Sequence, residues 1–339
     1  MPKMRDAIAH DPDCRHDRHR RTLAAWLLMV AAMVAVMVTL GGLTRLTGSG
    51  LSMTQWNPHH LLPPLDAAQW EEAFALYRQS PEFRLINAGM DLAGYQSIFW
   101  LEYVHRLWGR LIGLAFALPL LWFVWRRMVP TGWLPRLLGL LALGGGQGLM
   151  GWLMVASGLA ERPEVSHFRL AAHLLLALII LAALIWCALA LRDHSRQRHR
   201  LLFTTLCFVA ALALAAMTWG ALVAGLDAGR IHNSFPLMQG GWLPSPPLIN
   251  AVADPASVQY VHRVLAVTVW ACLSLLAFWS WRRRGPRPLL LAGAWVQVQA
   301  GLGIATVLHG APLVLAALHQ GGAVVLAALL TWALVSVRR

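Results

Sequence analysis

Eight apolar runs organise this sequence, at about 22–43, 100–125, 135–157, 167–191, 201–225, 257–281, 288–308 and 312–337. Each is close to the roughly 20 residues an α-helix needs to cross a bilayer. With 58% of its 339 residues hydrophobic, 13% charged and a mean hydropathy of +0.56, the chain carries more apolar surface than a soluble core hides. The pattern predicts an all-α polytopic membrane protein with eight transmembrane helices. Arginines cluster in alternate gaps: Arg126, Arg127 and Arg136, then Arg192, Arg196, Arg198 and Arg200, then Arg282, Arg283, Arg284 and Arg287. Arg338 and Arg339 close the chain. This bias predicts that both termini and these three gaps are cytoplasmic. It also accounts for the formal charge of +13 without a nucleic-acid partner. The remaining gaps, 44–99, 158–166, 226–256 and 309–311, are expected to face outward.

The basic tail, 1–21, also holds Asp6, Asp11, Asp13 and Asp17, which an organellar transit peptide would avoid. No cleavage-like site follows the first run, so the first helix is expected to be retained. The four cysteines, Cys14, Cys187, Cys207 and Cys272, lack CxxC and CxxCH spacing, which argues against zinc and covalent heme attachment. Within gap 44–99, residues Leu65 to Phe83 have the spacing of a short amphipathic helix lying on the membrane surface. Gap 226–256, with Pro236, Gly240, Gly241, Pro244, Pro246 and Pro247, is expected to be irregular.

The chain repeats itself. Glu102-Tyr-Val-His105-Arg106 matches Gln259-Tyr-Val-His262-Arg263, and Thr39-Leu-Gly-Gly matches Thr218-Trp-Gly-Ala. Gln147-Gly-Leu-Met-Gly151 matches Gln299-Ala-Gly-Leu-Gly303, and Leu170-Ala-Ala-His173 approximately matches Leu315-Ala-Ala-Leu-His319. Four helices per copy make a parallel tandem repeat. The expectation is two pseudo-symmetric four-helix bundles, 22–191 and 201–339, joined by a cytoplasmic linker, 192–200. The GxxxG pairs Gly109/Gly113 and Gly144/Gly148 are expected to bring helices close.

Of fourteen histidines, only His105, His173, His262 and His319 sit well inside apolar runs and match pairwise across the repeat. A position five to seven residues in from the outward end lies roughly 7–10 Å deep at 1.5 Å per residue. A lone intramembrane histidine is usually a hydrogen-bonded packing residue. Two matched pairs, one per bundle, fit the axial ligands of two six-coordinate hemes in the periplasmic half. His167, six residues from His173, is an alternative ligand on a different helix face. Arg106 and Arg263 follow the ligands directly and suit heme propionates, the other reading being arginines that snorkel to headgroups. Glu102 shares a helix face with His105. Its counterpart is the uncharged Gln259, so only the first bundle keeps a group able to move a proton. The alternative is a carboxylate paired with Arg106 or Arg110. Gly146, Gly148 and Gly151 fit GxGxxG but lie within a membrane helix, where a dinucleotide fold is excluded.

The run Gly41-Gly-Leu-Thr-Arg-Leu-Thr-Gly-Ser-Gly-Leu-Ser-Met, the Glu102-x-x-His105-Arg106 motif, His319-Gln320, and Trp56-Asn-Pro followed by Leu62-Pro-Pro-Leu resemble the heme A synthase family. The resemblance covers nearly everything after the basic tail. It implies oxidation of a methyl group of heme O to the formyl group of heme A, through hydroxylated intermediates, for heme-copper terminal oxidases. It implies that His105 and His173 handle the substrate heme, that His262 and His319 hold heme b, and that Glu102 is the functionally important acid. A heme O synthase, oxidase assembly factors and an electron acceptor are the partners it implies. One family branch carries a cysteine pair in the first outward loop, and gap 44–99 has none. That departure points to the proteobacterial and mitochondrial branch and, with the tail, to a bacterial inner membrane. The rival reading is a di-heme b-type electron carrier, which would need no Glu102/Gln259 asymmetry. A repeat-built transporter would show broken helices at mid-membrane.

Overall fold

The computed structural model describes residues 12–55, 62–159, 164–192, 199–238, 240–243 and 250–338. His10, His59, His60, His194, Arg196, Arg198, Arg339, the Trp56-Asn-Pro motif and Pro244, Pro246 and Pro247 lie outside the described residues. Ten α-helices follow: α1 (Pro12–Leu46), α2 (Ala67–Tyr77), α3 (Pro81–Leu85), α4 (Leu92–Trp125), α5 (Leu134–Leu159), α6 (His167–Arg192), α7 (Arg200–Gly225), α8 (Pro255–Arg282), α9 (Arg287–Leu308) and α10 (Leu313–Val337). Eight of them, all but α2 and α3, are long and apolar enough to cross a membrane. The chain is an all-helical, multi-pass membrane protein.

Six of the eight spans begin and end within two or three residues of the apolar runs. The other two are longer. Helix α1 reaches back into the basic tail and on to Leu46. Helix α4 starts at Leu92, eight residues before its apolar run, because Asp91 caps it by accepting from Gly94 N at 2.8 Å. Its extra turns are the platform for α2, while α3 rests against α5. Tyr95 and Phe99 are buried against Phe74 and Tyr77, with the Tyr95 and Tyr77 rings stacked at 5.1 Å and Phe74 stacked on Tyr95 at 5.2 Å. The amphipathic helix in gap 44–99 therefore exists, but its aromatic face meets α4 instead of the bilayer surface. A ready-made aromatic wall is a better partner than a headgroup layer. Among its described residues, gap 226–256 holds a 3-10 turn, Ala228–Arg230, and an isolated bridge between Met238 and Gly241.

Within this cap Glu82 is buried. It accepts from Tyr77 Oη at 3.1 Å, and Tyr77 in turn accepts from Asn87 Nδ2 at 2.8 Å. Burial, helped by the charge of Glu102, pushes the Glu82 carboxyl from an ordinary 4.5 up to about 7. The folded cap thus binds a proton that the unfolded chain releases between those values, so its stability falls as pH rises from about 4.5 to about 7. Glu82→Gln is expected to flatten that dependence when thermal unfolding of the aromatic cluster is followed by near-ultraviolet circular dichroism. An unchanged slope would contradict the assignment.

Helix α1 packs on α4 and α6, α5 on α6, and α4 only sparsely on α5. In the second half α7 packs on α8 and α10, and α9 on both α8 and α10. The halves meet where α6 touches α7 and α10, and where α10 touches α1. Apolar cores fill the arginine-rich end of each half, around Leu27, Phe116 and Leu184 in the first and Leu206, Leu273 and Leu330 in the second. Inside a bilayer such contacts gain little from leaving water, and close fit decides. Gln320 keys the halves together: its Nε2 donates to Val38 O at 2.7 Å, and a Cβ on Gly42 would lie 2.0 Å from its Oε1.

The GxxxG expectation needs correcting. Gly109 does face a neighbour, Met37 Cε, but a Cβ at Gly113, Gly144 or Gly148 would meet nothing within 4 Å. The tight approaches occur at other glycines, and five of those, Gly41, Gly151, Gly220, Gly225 and Gly303, face histidines.

Candidate functional site

Each of the four intramembrane imidazoles rests in a notch left by a glycine on an adjacent helix. A Cβ on Gly41 of α1 would lie 3.0 Å from His105 Cε1, and one on Gly151 of α5 would lie 3.1 Å from His173 Cε1. The second half repeats this, with Gly220 of α7 against His262 at 3.0 Å and Gly303 of α9 against His319 at 2.9 Å. Any larger residue would push the ring out of place. These glycines stand at matching positions of the repeat, so the notch is duplicated with the ligand.

In the second half both imidazoles line one cavity of about 640 Å³, together with Arg263, Gln299, Arg45 and Arg230. That volume falls within the range of sites that take organic ligands. His262 Nδ1 lies 2.8 Å from Ala216 O, a group that only accepts, so the proton sits on Nδ1 and Nε2 offers its lone pair. Arg263 Nε is buried without a hydrogen-bond partner. Two neutral imidazoles, a cavity of this size and guanidinium groups at its edge fit a heme. In the first half His105 Nδ1 is likewise buried without a partner.

A glutamine supports one histidine of each pair. Gln147 Nε2 lies 3.2 Å from His173 Nδ1 and 3.1 Å from His173 O, while Gln299 Nε2 lies 3.2 Å from His319 Nδ1 and 2.9 Å from His319 O. In both, Oε1 is buried without a partner. In each, the amide nitrogen donates to the backbone carbonyl of the histidine it supports and touches that ring's Nδ1, so the glutamine holds its imidazole in position. The sequence displayed these glutamines within the repeat, but no ionisable group marked them as supports. Gln299→Leu is expected to weaken heme retention in the second half about 10–100-fold. Heme content after detergent washing checks this, and wild-type retention would contradict it.

Glu102 is buried at the junction of α4 and the segment after α1. It accepts from Ser52 Oγ at 2.6 Å and Met53 N at 2.8 Å, and it pairs with Arg106 through Nε at 3.0 Å and through Nη2. Arg106 also donates to Met53 O at 2.9 Å and Gln55 O at 3.2 Å. The paired carboxylate weighed for Glu102 is thus present. Gln259 works similarly without charge, donating to His232 O at 3.1 Å, while Arg263 donates to His232 O at 2.6 Å and Ser234 O at 2.8 Å. In both copies the residue pair pins the preceding loop onto the helix. His232, in the gap expected to face outward, is buried there. His167 sits at the start of α6 against Gly225 of α7. Helix α4 extends far past the apolar run, so His105 lies 13 residues from its first residue, whereas His173, His262 and His319 lie six or seven from theirs.

Residues 24–331 match the model of the COX15-CtaA family, described as cytochrome oxidase assembly protein. The chain belongs to this family. The heme A synthase of Rhodospirillum centenum is 46% identical, the alignment covering 93% of this chain and 88% of that one. Those of Paracoccus denitrificans (44%, covering 93% and 87%) and Paramagnetospirillum magneticum (43%, covering 93% of each) are similar over the same extent.

Proposed function

We infer that this chain is an oxidoreductase that converts heme O to heme A by oxidising a porphyrin methyl group to a formyl group. Its family and its relatives support the reaction, and the duplicated imidazole pairs carry it to particular residues. His105 and His173 hold the substrate heme in the first bundle, 22–191, and His262 and His319 hold a heme b in the second, 201–339. Bound there, heme b supplies one-electron redox chemistry. Gly220 and Gly303 would seat its two imidazoles, Arg263, with Nε unpartnered, would offer a cation to its propionates, and Gln299 would hold the His319 ring in position. Arg106 orients the substrate only indirectly, by holding Glu102 and the loop at 53–55.

Oxidation of a methyl carbon releases protons, and Glu102 is the acid–base group one turn from His105. It takes such a proton, or orients a water that attacks the carbon, and Ser52 Oγ, hydrogen-bonded to it, offers the next step outward. The arginine-rich end faces the cytoplasm of a bacterial inner membrane with both termini, and the α2–α3 cap faces the periplasm. Heme O arrives from a heme O synthase, heme A leaves for terminal oxidases, and an electron acceptor completes the turnover.

Expression in a bacterium that makes heme O but no heme A tests the reaction. Heme A in the extracted pigments is expected, and unaltered heme O would overturn the proposal. A di-heme electron carrier is the poorer reading, since it leaves the Glu102/Gln259 difference without a purpose.

A further inference from the structure

The two halves differ at one seam, between α4 and α5 in the first and between α8 and α9 in the second. Matching His105 to His262 and Gln147 to Gln299 pairs Gly113 with Trp270, Ala117 with Ser274 and Gly145 with Gln297. In the second half these residues form a clasp. Trp270 Nε1 donates to Gln297 Oε1 at 2.7 Å, and Gln297 Nε2 donates to Ser274 Oγ at 2.7 Å. Just beyond, Gly293 lies so close to Ala277 that an added Cβ would be 2.1 Å from the alanine's.

The first half has no counterpart to this clasp. A Cβ at Gly113, Gly145 or Gly148 would meet nothing within 4 Å. Five successive residues, Leu141 to Gly145, are exposed. At about 100° per residue they point in every direction around α5, so even the side turned toward the bundle is open. The matching stretch 293–297 has Gly293 and Val296 buried, as a packed helix does. Helix α5 is the least buried of the eight spans.

The gap borders the first imidazole pair. Gly148 adjoins Gln147, whose amide touches His173, and Gly113 stands about two turns along α4 from His105. His105 and His173, each seated in a glycine notch as their counterparts around the second cavity are, form the pair that this opening leads to. Beside His105 at the loop end, Glu102, Arg106, Ser52 and Met53 tie the loop down onto α4. The hydrocarbon side is the open one. A flat apolar macrocycle is at home there and costly to bring through water.

We propose that the α4–α5 seam is a lateral portal through which the porphyrin substrate enters from the lipid and its product returns. The Trp270–Gln297–Ser274 clasp closes the same route in the second half and makes the heme there resident. The inference rests on the reading of the first half as the substrate site.

The test uses purified full-length protein in nanodiscs, mixed with phospholipid vesicles carrying heme O, then re-isolated for pigment analysis over time. The wild type is expected to take up heme O while keeping its heme b. Closing the seam with G113W, A117S and G145Q together is expected to slow uptake at least about tenfold, as closure of a gating element does, with heme b retained. G145Q alone serves, with the same direction of effect, if the triple variant loses heme b through misfolding. Opening the clasp with W270G and Q297G is expected to make heme b exchange with the vesicles. Uptake at the wild-type rate in the closed variants, or a heme b that stays resident in the opened one, overturns the portal alone. A wild type that takes up no heme O overturns the substrate reading, and the portal with it.

Discussion

Glu102→Gln is expected to lower heme A formation by about 10²–10⁴-fold, the usual contribution of a positioned acid–base group, while both hemes stay bound. The amide keeps the shape of the carboxylate and can still accept from Met53 N and Ser52 Oγ, so the loop at 52–55 should remain docked. Glu102→Ala is a different experiment. It strands Arg106 beside a buried gap, and breaking a buried ion pair from one side costs about 3–5 kcal/mol. The larger loss of stability is therefore expected in the alanine variant; in the glutamine variant the amide NH2 turns to Arg106, which keeps its bonds to Met53 O and Gln55 O, and loss of turnover should far exceed loss of stability. If Glu102→Gln turned over at the wild-type rate with both hemes in place, the carboxylate would be only the anchor that its hydrogen bonds describe.

The histidines should give the other large effect, and it should be confined to one half at a time. His262→Ala or His319→Ala removes an axial ligand from the cavity of the second half. Its heme content should drop by more than the 10–100-fold typical of a lost outer-shell support, with the first half still able to bind. His105→Ala or His173→Ala should do the reverse. Low-spin heme spectra of the four variants check this, and loss of both hemes from any single change would mean that the halves do not bind independently. Gly220→Val should resemble His262→Ala, because the side chain would occupy the space of the ring.

Much of this arrangement was readable from residue order. Membrane spans declare themselves through length and hydropathy, and a duplicated histidine declares itself through its copy. What stayed hidden depends on partners distant in sequence. Gln96, Ser97 and Glu102 dilute the hydropathy at the start of α4, so its first turns do not read as helix until α2 is seen to cover them. The aromatic face of α2 was visible, but not whether protein or lipid would meet it. Arg106 looked free for a propionate because the carbonyls of Met53 and Gln55 lie some fifty residues away. Glycine carries no chemistry of its own, so Gly151 and Gly303, which seat imidazoles, read no differently from Gly144 and Gly148, which touch nothing.

The central claim is that each imidazole pair grips its own heme and that only the heme of the first pair is altered. Pigments extracted from the double variants His105→Ala/His173→Ala and His262→Ala/His319→Ala, purified from heme O-producing cells, test it most directly. The first variant should yield heme b and no heme O, heme A or hydroxylated intermediate; the second should yield no heme b. Heme b alone in the wild type, or the same pigments in both variants, would contradict the account.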